Sequence, residues 1–192
     1  METQVNPITP TAEQSFHWPG QMATAKVFAC SGDDMHRAAW RFGELEISGS
    51  GSMPLLEGYS RQLALLDGEG VLIMHDNNDR TELLEQGEHG AMSMASANEV
   101  ELIEGAVKLL DIVVEDSKYT TSAFILGDEE NMHPVDAELL IIYGLSGERM
   151  HCILDEHEFS LNEKQWIRVD NPPNSELQCT DGRVLAIAVR AI

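Results

Sequence analysis

The feature that most constrains this sequence is a repeat of three β-type blocks in the same order. Each block is a strand, a turn and a second strand, and the paired copies are LALLDGEGVLIM with LIIYGLSGERMHCIL, TELLEQGEHGAMSM with EFSLNEKQWIRVDN, and VELIEGAVKLLDIVV with ELQCTDGRVLAIAVR. In the last pair Leu110 matches Ile187 and Ile112 matches Val189, so the same alternate positions of the strand face the core in both copies. The repeat therefore predicts two similar β-units in one chain.

The rest of the chain consists of short β-type runs between turn signals such as DGEG, DNND and TDG. Runs of this length and spacing favour an all-β sandwich or barrel over βαβ units. The best helix candidate, GDDMHRAAWRFGEL, is interrupted by glycine. We predict a flexible N-terminal arm (1–15), a first unit (16–115), a linker (116–134) and a second unit (135–192), the two units packed as one compact domain.

The charge of the chain excludes some partners. Twelve Lys and Arg residues against 33 Asp and Glu give a formal net charge of -21. Such a chain repels phosphate backbones and anionic membrane surfaces, so we expect neither nucleic acid nor membrane as a partner. The hydrophobic fraction of 43% argues against disorder.

The cysteines predict a reducing compartment. Cys30, Cys152 and Cys179 are an odd number, widely spaced, with no CxxC pair. The polar start METQVNPITPTAEQ does not resemble a signal peptide, so reduced thiols in a cytoplasmic protein are expected. Cys152 and Cys179 fall in or beside predicted strands, where cysteine is usually a small core residue.

A strand–turn–strand unit repeated once suggests a bicupin, which consists of two jelly-roll barrels (double-stranded β-helices) in one chain. The stretch from Trp40 to Ile73 resembles the central signature of the HutD/Ves family, a run close to W-R-L-S-I-A and then F-P-G-x-D-R-x-L-x-L-L-x-G-x-G. The matching residues are Trp40, Arg41, Ile47, Gly58, Arg61, Leu63, Leu65, Leu66, Gly68 and Gly70. VELIEGAVKLLDIVV is similar to the family's L-L-x-G-P-V-x-D-L-N-x-M. The resemblance implies an all-β bicupin fold.

The chain departs from this family at the N-terminal hallmark, which resembles W-K-N-G-G-G. Here Trp18 is followed by Pro19-Gly20-Gln21-Met22-Ala23, and Lys26 stands where a strand arginine is expected. Asp111 occupies the asparagine position of the D-L-N motif. The sequence is identified as a divergent member, and the pocket built by the lost motif is not carried over to it.

No metal or catalytic motif emerges from the sequence. A cupin metal site usually follows G-x5-H-x-H-x3,4-E-x6-G, but Gly70 is followed by His75 alone and Gly147 by His151 alone. There is also no G-x-S-x-G elbow. We therefore expect no metal, no cofactor and no catalytic residue. A metal-dependent cupin isomerase or dioxygenase with a non-standard ligand set remains the alternative.

Two arginines are the leading candidates for ligand binding. Arg41 and Arg61 lie on predicted strands of the first unit and have no counterpart in the matching second-unit blocks. A guanidinium inside a small barrel is a bidentate clamp for a carboxylate. The alternative for each is a salt bridge to Glu44, Glu46 or Glu57.

Glu46, Asp111 and Trp40 complete the candidate site. Glu46 lies on a strand face that is either solvent or pocket, and Trp40 has the alternative of plugging the barrel end. We expect a metal-free small-molecule-binding or regulatory cupin whose ligand is a small carboxylated metabolite. The resemblance implies a role in histidine utilisation or stress. An acidic protein-interaction module is the other alternative, and exposed sheet edges would also permit a homodimer.

Overall fold

The computed structural model describes residues 3–8, 15–18, 22–76, 79–127, 131–172 and 174–192. Every regular element among them is a β-strand. The strands are β1 (Gln4–Ile8), β2 (Ser15–His17), β3 (Ala23–Cys30), β4 (Trp40–Ile47), β5 (Gly51–Ser52), β6 (Tyr59–Asp67), β7 (Val71–His75), β8 (Arg80–Leu83), β9 (His89–Ser93), β10 (Asn98–Leu102), β11 (Val107–Glu115), β12 (Tyr119–Leu126), β13 (Met132–Val135), β14 (Leu139–Ser146), β15 (Met150–Leu154), β16 (His157–Leu161), β17 (Trp166–Asp170), β18 (Ser175–Thr180) and β19 (Arg183–Ala191). The predicted all-β class is confirmed.

The first unit, Pro10–Tyr119, contains two antiparallel sheets. One has the order β2-β3-β4-β11-β6-β9 and the other the order β5-β10-β7-β8. Alternate residues of these strands fill one apolar core, which includes Leu45, Leu63, Leu65, Ile73 and Leu109. Alternation of this kind is what a sheet with one core-facing side requires.

The second unit comprises Met1–Thr9 and Thr120–Ile192. Its sheets have the orders β1-β17-β14-β19-β12 and β13-β18-β15-β16. The order β10-β7-β8 of the first unit recurs here as β18-β15-β16, and β11-β6-β9 recurs as β19-β14-β17. The sequence repeat thus corresponds to two jelly-roll barrels, and the predicted bicupin architecture is confirmed.

The unit boundaries differ from the predicted ones. Residues Gln4–Ile8 of the predicted arm form β1, which pairs with β17 from Gln4↔Asp170 to Ile8↔Trp166. Most of the predicted linker also belongs to the second unit, because β12 and β13 are edge strands of its two sheets. A polar edge strand is held by main-chain hydrogen bonds, so its sequence carries little apolar alternation. The remainder of the arm at 9–14, and residues 19–21 after Trp18, lie outside the described residues.

Gly43 allows β3 and β4 to approach closely beside the core. A register shift between Val27 and Ala29 disrupts the β3–β4 ladder at this point. A Cβ atom built on Gly43 would overlap the carbonyl oxygen of Lys26. The clash would be with backbone atoms of β3, which cannot move aside as a flexible side chain could, so only glycine fits at this position.

We therefore expect Gly43→Ala to lower the free energy of unfolding by about 2 kcal/mol or more, through displacement of β3. Urea denaturation followed by circular dichroism measures this loss. Gly49→Ala is the matched control, because its added Cβ would lie at van der Waals distance from the Cβ (3.4 Å) and the Cα (3.8 Å) of Met22. Equal stability of the two variants would contradict the close-approach explanation.

Candidate functional site

Two charged side chains point into the core of the first unit. On β6, Leu63 and Leu65 belong to the buried core, so Arg61 projects from the same face of the strand. On β11, Leu109 is a core residue, and Asp111 therefore also faces inward. Strand periodicity thus places a cation and an anion inside the barrel.

Arg61 and Asp111 form a buried ion pair. The Nε of Arg61 lies 2.9 Å from Oδ1 of Asp111, and the two side chains are 1% and 7% exposed. The guanidinium Cζ lies 5.1 Å from the ring centroid of Trp18, which covers it in a cation–π contact. Burial lowers the pKa of Arg61, whereas the carboxylate of Asp111 opposes that shift. The contact with Asp111 is an ion pair and not a well-aligned hydrogen bond.

The guanidinium of Arg61 retains unused hydrogen-bonding capacity. Its Nη1 atom is buried and has no hydrogen-bond partner among the described residues. A buried donor without an acceptor costs free energy, which is why such groups are rare outside sites that bind something. Nη1 is therefore the atom most suited to meet an incoming acceptor.

Arg41 lies in the same row of side chains as Arg61. Val113 of β11 is the register partner of Arg41 on β4 and of Arg61 on β6. The Nη1 of Arg41 donates a hydrogen bond to the carbonyl of Met35 at 3.1 Å. Arg41 is close enough to lower the pKa of Arg61 further by like-charge repulsion. The structure thus brings Arg41, Arg61 and Asp111 together.

The structure does not bring Glu46 and Trp40 to this cluster. Both lie on the face of β4 opposite to Arg41, because successive side chains of a strand point to opposite sides. Glu46 is exposed beside Lys108, its register partner on β11. Trp40 is partly buried and stacks on Phe42 with ring centroids 6.5 Å apart. Both residues were predicted as ligand candidates, because the sequence does not indicate which face of β4 is the interior.

A pocket of about 370 Å³ lies between β8 and β9, the edge strands of the two sheets of the first unit. Its lining is mostly polar and includes His75, Asp76, Thr81, Ser93 and Asn98.

Met92 is common to the pocket and to the surroundings of Arg61. It lines the pocket and is also the register partner of Arg61 across β6 and β9.

A hydrogen-bond chain fixes the orientation of His75 in this pocket. The Nδ2 of Asn98 donates to the carbonyls of Ser93 (3.0 Å) and Ser96 (3.1 Å), so its Oδ1 is left as the acceptor. The Nδ1 of His75, 2.6 Å from that Oδ1, must therefore be the protonated ring nitrogen. In the neutral ring, Nε2 then accepts from the hydroxyl of Thr81 at 2.9 Å.

Sequence reasoning considered His75 as a metal ligand or as a barrel-face or solvent histidine, and it missed Thr81 and Asn98. These two residues lie on β8 and β10, and no local motif links them to His75. The described residues contain no group of three or more His, Cys, Asp or Glu side chains arranged to hold a metal ion. His151 of the second unit lies between the buried Met150 and Cys152 on β15, so it points away from the core, and its Nε2 is 3.9 Å from Glu158.

Two antiparallel barrels in tandem, with a charged cluster inside the first, define a bicupin. The chain belongs to the HutD family, whose model matches residues 12–187. Within the described ranges there is no helix long and apolar enough to cross a membrane. A comparison with curated protein sequences returns no significant match.

Solved structures with the same fold are distant in sequence. HutD from Pseudomonas fluorescens SBW25 has a TM-score of 0.78 at 16% identity, with 98% of this chain and 100% of that chain covered. The conserved protein of unknown function PA5104 from Pseudomonas aeruginosa PAO1 has a TM-score of 0.77 at 14% identity, covering 98% and 100%. Ylba from E. coli has a TM-score of 0.63 at 10% identity, covering 96% and 90%. At these identities the likeness concerns the fold alone.

We expect Asp111→Ala to lower the free energy of unfolding by about 3–5 kcal/mol, because it leaves the Arg61 guanidinium buried without its counter-ion. Urea denaturation measures the loss. Glu46→Ala, which removes an exposed carboxylate from the same sheet, should change stability by less than about 0.5 kcal/mol. A cost for Asp111→Ala as small as that of Glu46→Ala would show that the ion pair does not support the fold.

Proposed function

We propose that this protein is a metal-free small-molecule-binding cupin whose first unit takes a small carboxylated metabolite, with Arg61 as the carboxylate clamp. The observation that carries the proposal is the buried Nη1 of Arg61, which has no hydrogen-bond partner among the described residues. A carboxylate oxygen would satisfy this donor.

Electrostatics inside the barrel favour an anion. Burial and the nearby Arg41 both lower the pKa of Arg61, which means that its charged form is under-stabilised there. A second carboxylate would relieve both effects, and the planar guanidinium suits a two-oxygen acceptor. Asp111 supplies the first carboxylate and the ligand would supply the second.

The polar pocket provides a route and a second contact region. A ligand that enters between β8 and β9 reaches Arg61 by displacing Met92, a flexible side chain that repacks easily. The hydroxyls of Thr81 and Ser93 and the ring of His75 line that route. These groups favour a ligand that has a carboxylate at one end and a hydrogen-bonding group at the other.

Among the described residues of the second unit, the positions that correspond to Arg61 and Asp111 carry no equivalent charge pair. In the repeat register, Glu138 and Ala188 take the places of Arg61 and Asp111. Ala188 belongs to the apolar core of the second unit, and Glu138 is exposed. A carboxylate would therefore find no buried cation at the corresponding position of the second barrel.

We expect the double variant Arg61→Met with Asp111→Leu to lose affinity for formate, acetate and succinate by about 10- to 100-fold, the worth of a charge-assisted hydrogen bond. Formate is the smallest carboxylate, and the P. fluorescens HutD structure carries the description "Formate condition". Titration calorimetry measures the affinities. The double variant removes both charges together, so it leaves no unpaired buried ion to unfold the barrel.

Glu46→Gln is the matched control and should bind these probes as the wild type does, because Glu46 lies on the other face of β4. Equal affinity of wild type and double variant would reduce Arg61 and Asp111 to a structural ion pair. Stoichiometric iron, manganese, nickel or zinc in elemental analysis of the purified protein would replace this proposal with the metal-dependent enzyme.

A further inference from the structure

Two cysteines face each other in the core of the second unit. Cys152 on β15 is the register partner of Cys179 on β18. The two residues are 0% and 1% exposed and belong to the same apolar cluster. They lie far apart in the sequence, so the sheet alone brings them together.

The hydrogen-bonding pattern places this pair at the closer of the two antiparallel spacings. The amide of Cys179 donates to the carbonyl of Asn131 at 2.9 Å, on the β13 side of β18. Because both backbone polar groups of a strand residue point to the same side, Cys179 makes no ladder hydrogen bond to β15. In such a non-hydrogen-bonded pair the Cα atoms are about 4.5 Å apart and the side chains lie close together. That spacing falls within the roughly 4.4–6.8 Å that a disulfide spans.

The Sγ atom of Cys179 donates weak hydrogen bonds to the carbonyls of Thr180 and Gly182 at 3.8 Å. The neighbouring Cys179 thiol, together with burial, raises the pKa of Cys152, so the pair becomes reactive when the core opens locally. Both are free cysteines in the structure.

We propose that Cys152 and Cys179 form a redox-active dithiol, which a hydroperoxide converts reversibly into a cross-strand disulfide within the second unit. One thiol of the pair loses its proton and attacks one peroxide oxygen; the O–O bond breaks, that cysteine becomes a sulfenic acid, and the leaving hydroxide takes up the proton to become the first water. The sulfur of the other cysteine then attacks the sulfenic sulfur, the S–O bond breaks, and the hydroxyl group leaves with the second thiol proton as the second water. Two thiols and one hydrogen peroxide thus give one disulfide and two waters.

Cys30 provides an internal reference for this reaction. It lies on β3 of the first unit, is partly exposed, and has Arg41 as its register partner on β4. Its thiol donates a weak hydrogen bond to the carbonyl of Gly32 at 3.4 Å. Cys30 is accessible but faces Arg41 and not a second cysteine, whereas Cys152 and Cys179 face each other but react only after local opening of the core. Oxidation should therefore reach Cys30 first and the dithiol more slowly.

The test uses the full-length protein, fully reduced and then exposed to hydrogen peroxide. After acid quenching, unfolding and alkylation, the mass spectrum of the Cys30→Ser variant should show loss of about 2 Da and both remaining alkylation sites blocked. Peptide mapping of the wild type should find one cross-linked pair that contains Cys152 and Cys179, and dithiothreitol should restore both thiols.

The Cys30→Ser variant tests whether the cross-link forms without Cys30. The Cys30 side chain is partly exposed, so its replacement should not disturb the core of either unit. The cross-link should form in this variant at the wild-type rate, and the oxidised form should unfold at a higher urea concentration than the reduced form. Full alkylation of Cys152 and Cys179 after peroxide, or a cross-link that depends on Cys30, would overturn the proposal.

Discussion

The buried ion pair between Arg61 and Asp111 is the constraint on which the interior of the first barrel depends. The Arg61 guanidinium and the Asp111 carboxylate, 1% and 7% exposed, neutralise each other across the neighbouring strands β6 and β11. The ring of Trp18 covers the guanidinium. Charge pairs in such surroundings contribute little net stability, but removal of one partner is costly. The pair is therefore difficult to lose by single substitutions, and it leaves the remaining donors of Arg61 available.

The fold could be predicted from the sequence because it rests on a repeated local pattern. The three repeated strand–turn–strand blocks predict six strands in each unit, with the same order and the same alternation of buried residues. The strand orders of the sheets repeat accordingly. β1 could not be predicted in this way, because its residues are mostly exposed and its place is decided by β17, far away in the sequence. Periodicity identifies strands that bury one face and passes over strands held by backbone hydrogen bonds alone.

The candidate site was only partly predictable for a similar reason. Arg61 and Asp111 stand out in the sequence, yet their contact depends on the register of β6 and β11. Trp40 and Glu46 lie on β4 at odd separations from Arg41, one and five residues away, so their side chains point to the other face. The orientation of His75 depends on Thr81 and Asn98, which only the folded sheet places near it.

The pairing of β1 with β17 also has a consequence for synthesis on the ribosome. β1 finds its partner only after residues 166–170 have emerged, and all of Pro10–Tyr119 is synthesised in between. Such a sequence separation slows folding, because a long loop must close before the contact contributes any stability. The first unit can fold during translation while β1 is still without its partner. Until β17 emerges, β1 is an unpaired strand of the nascent chain and therefore a template for mispairing.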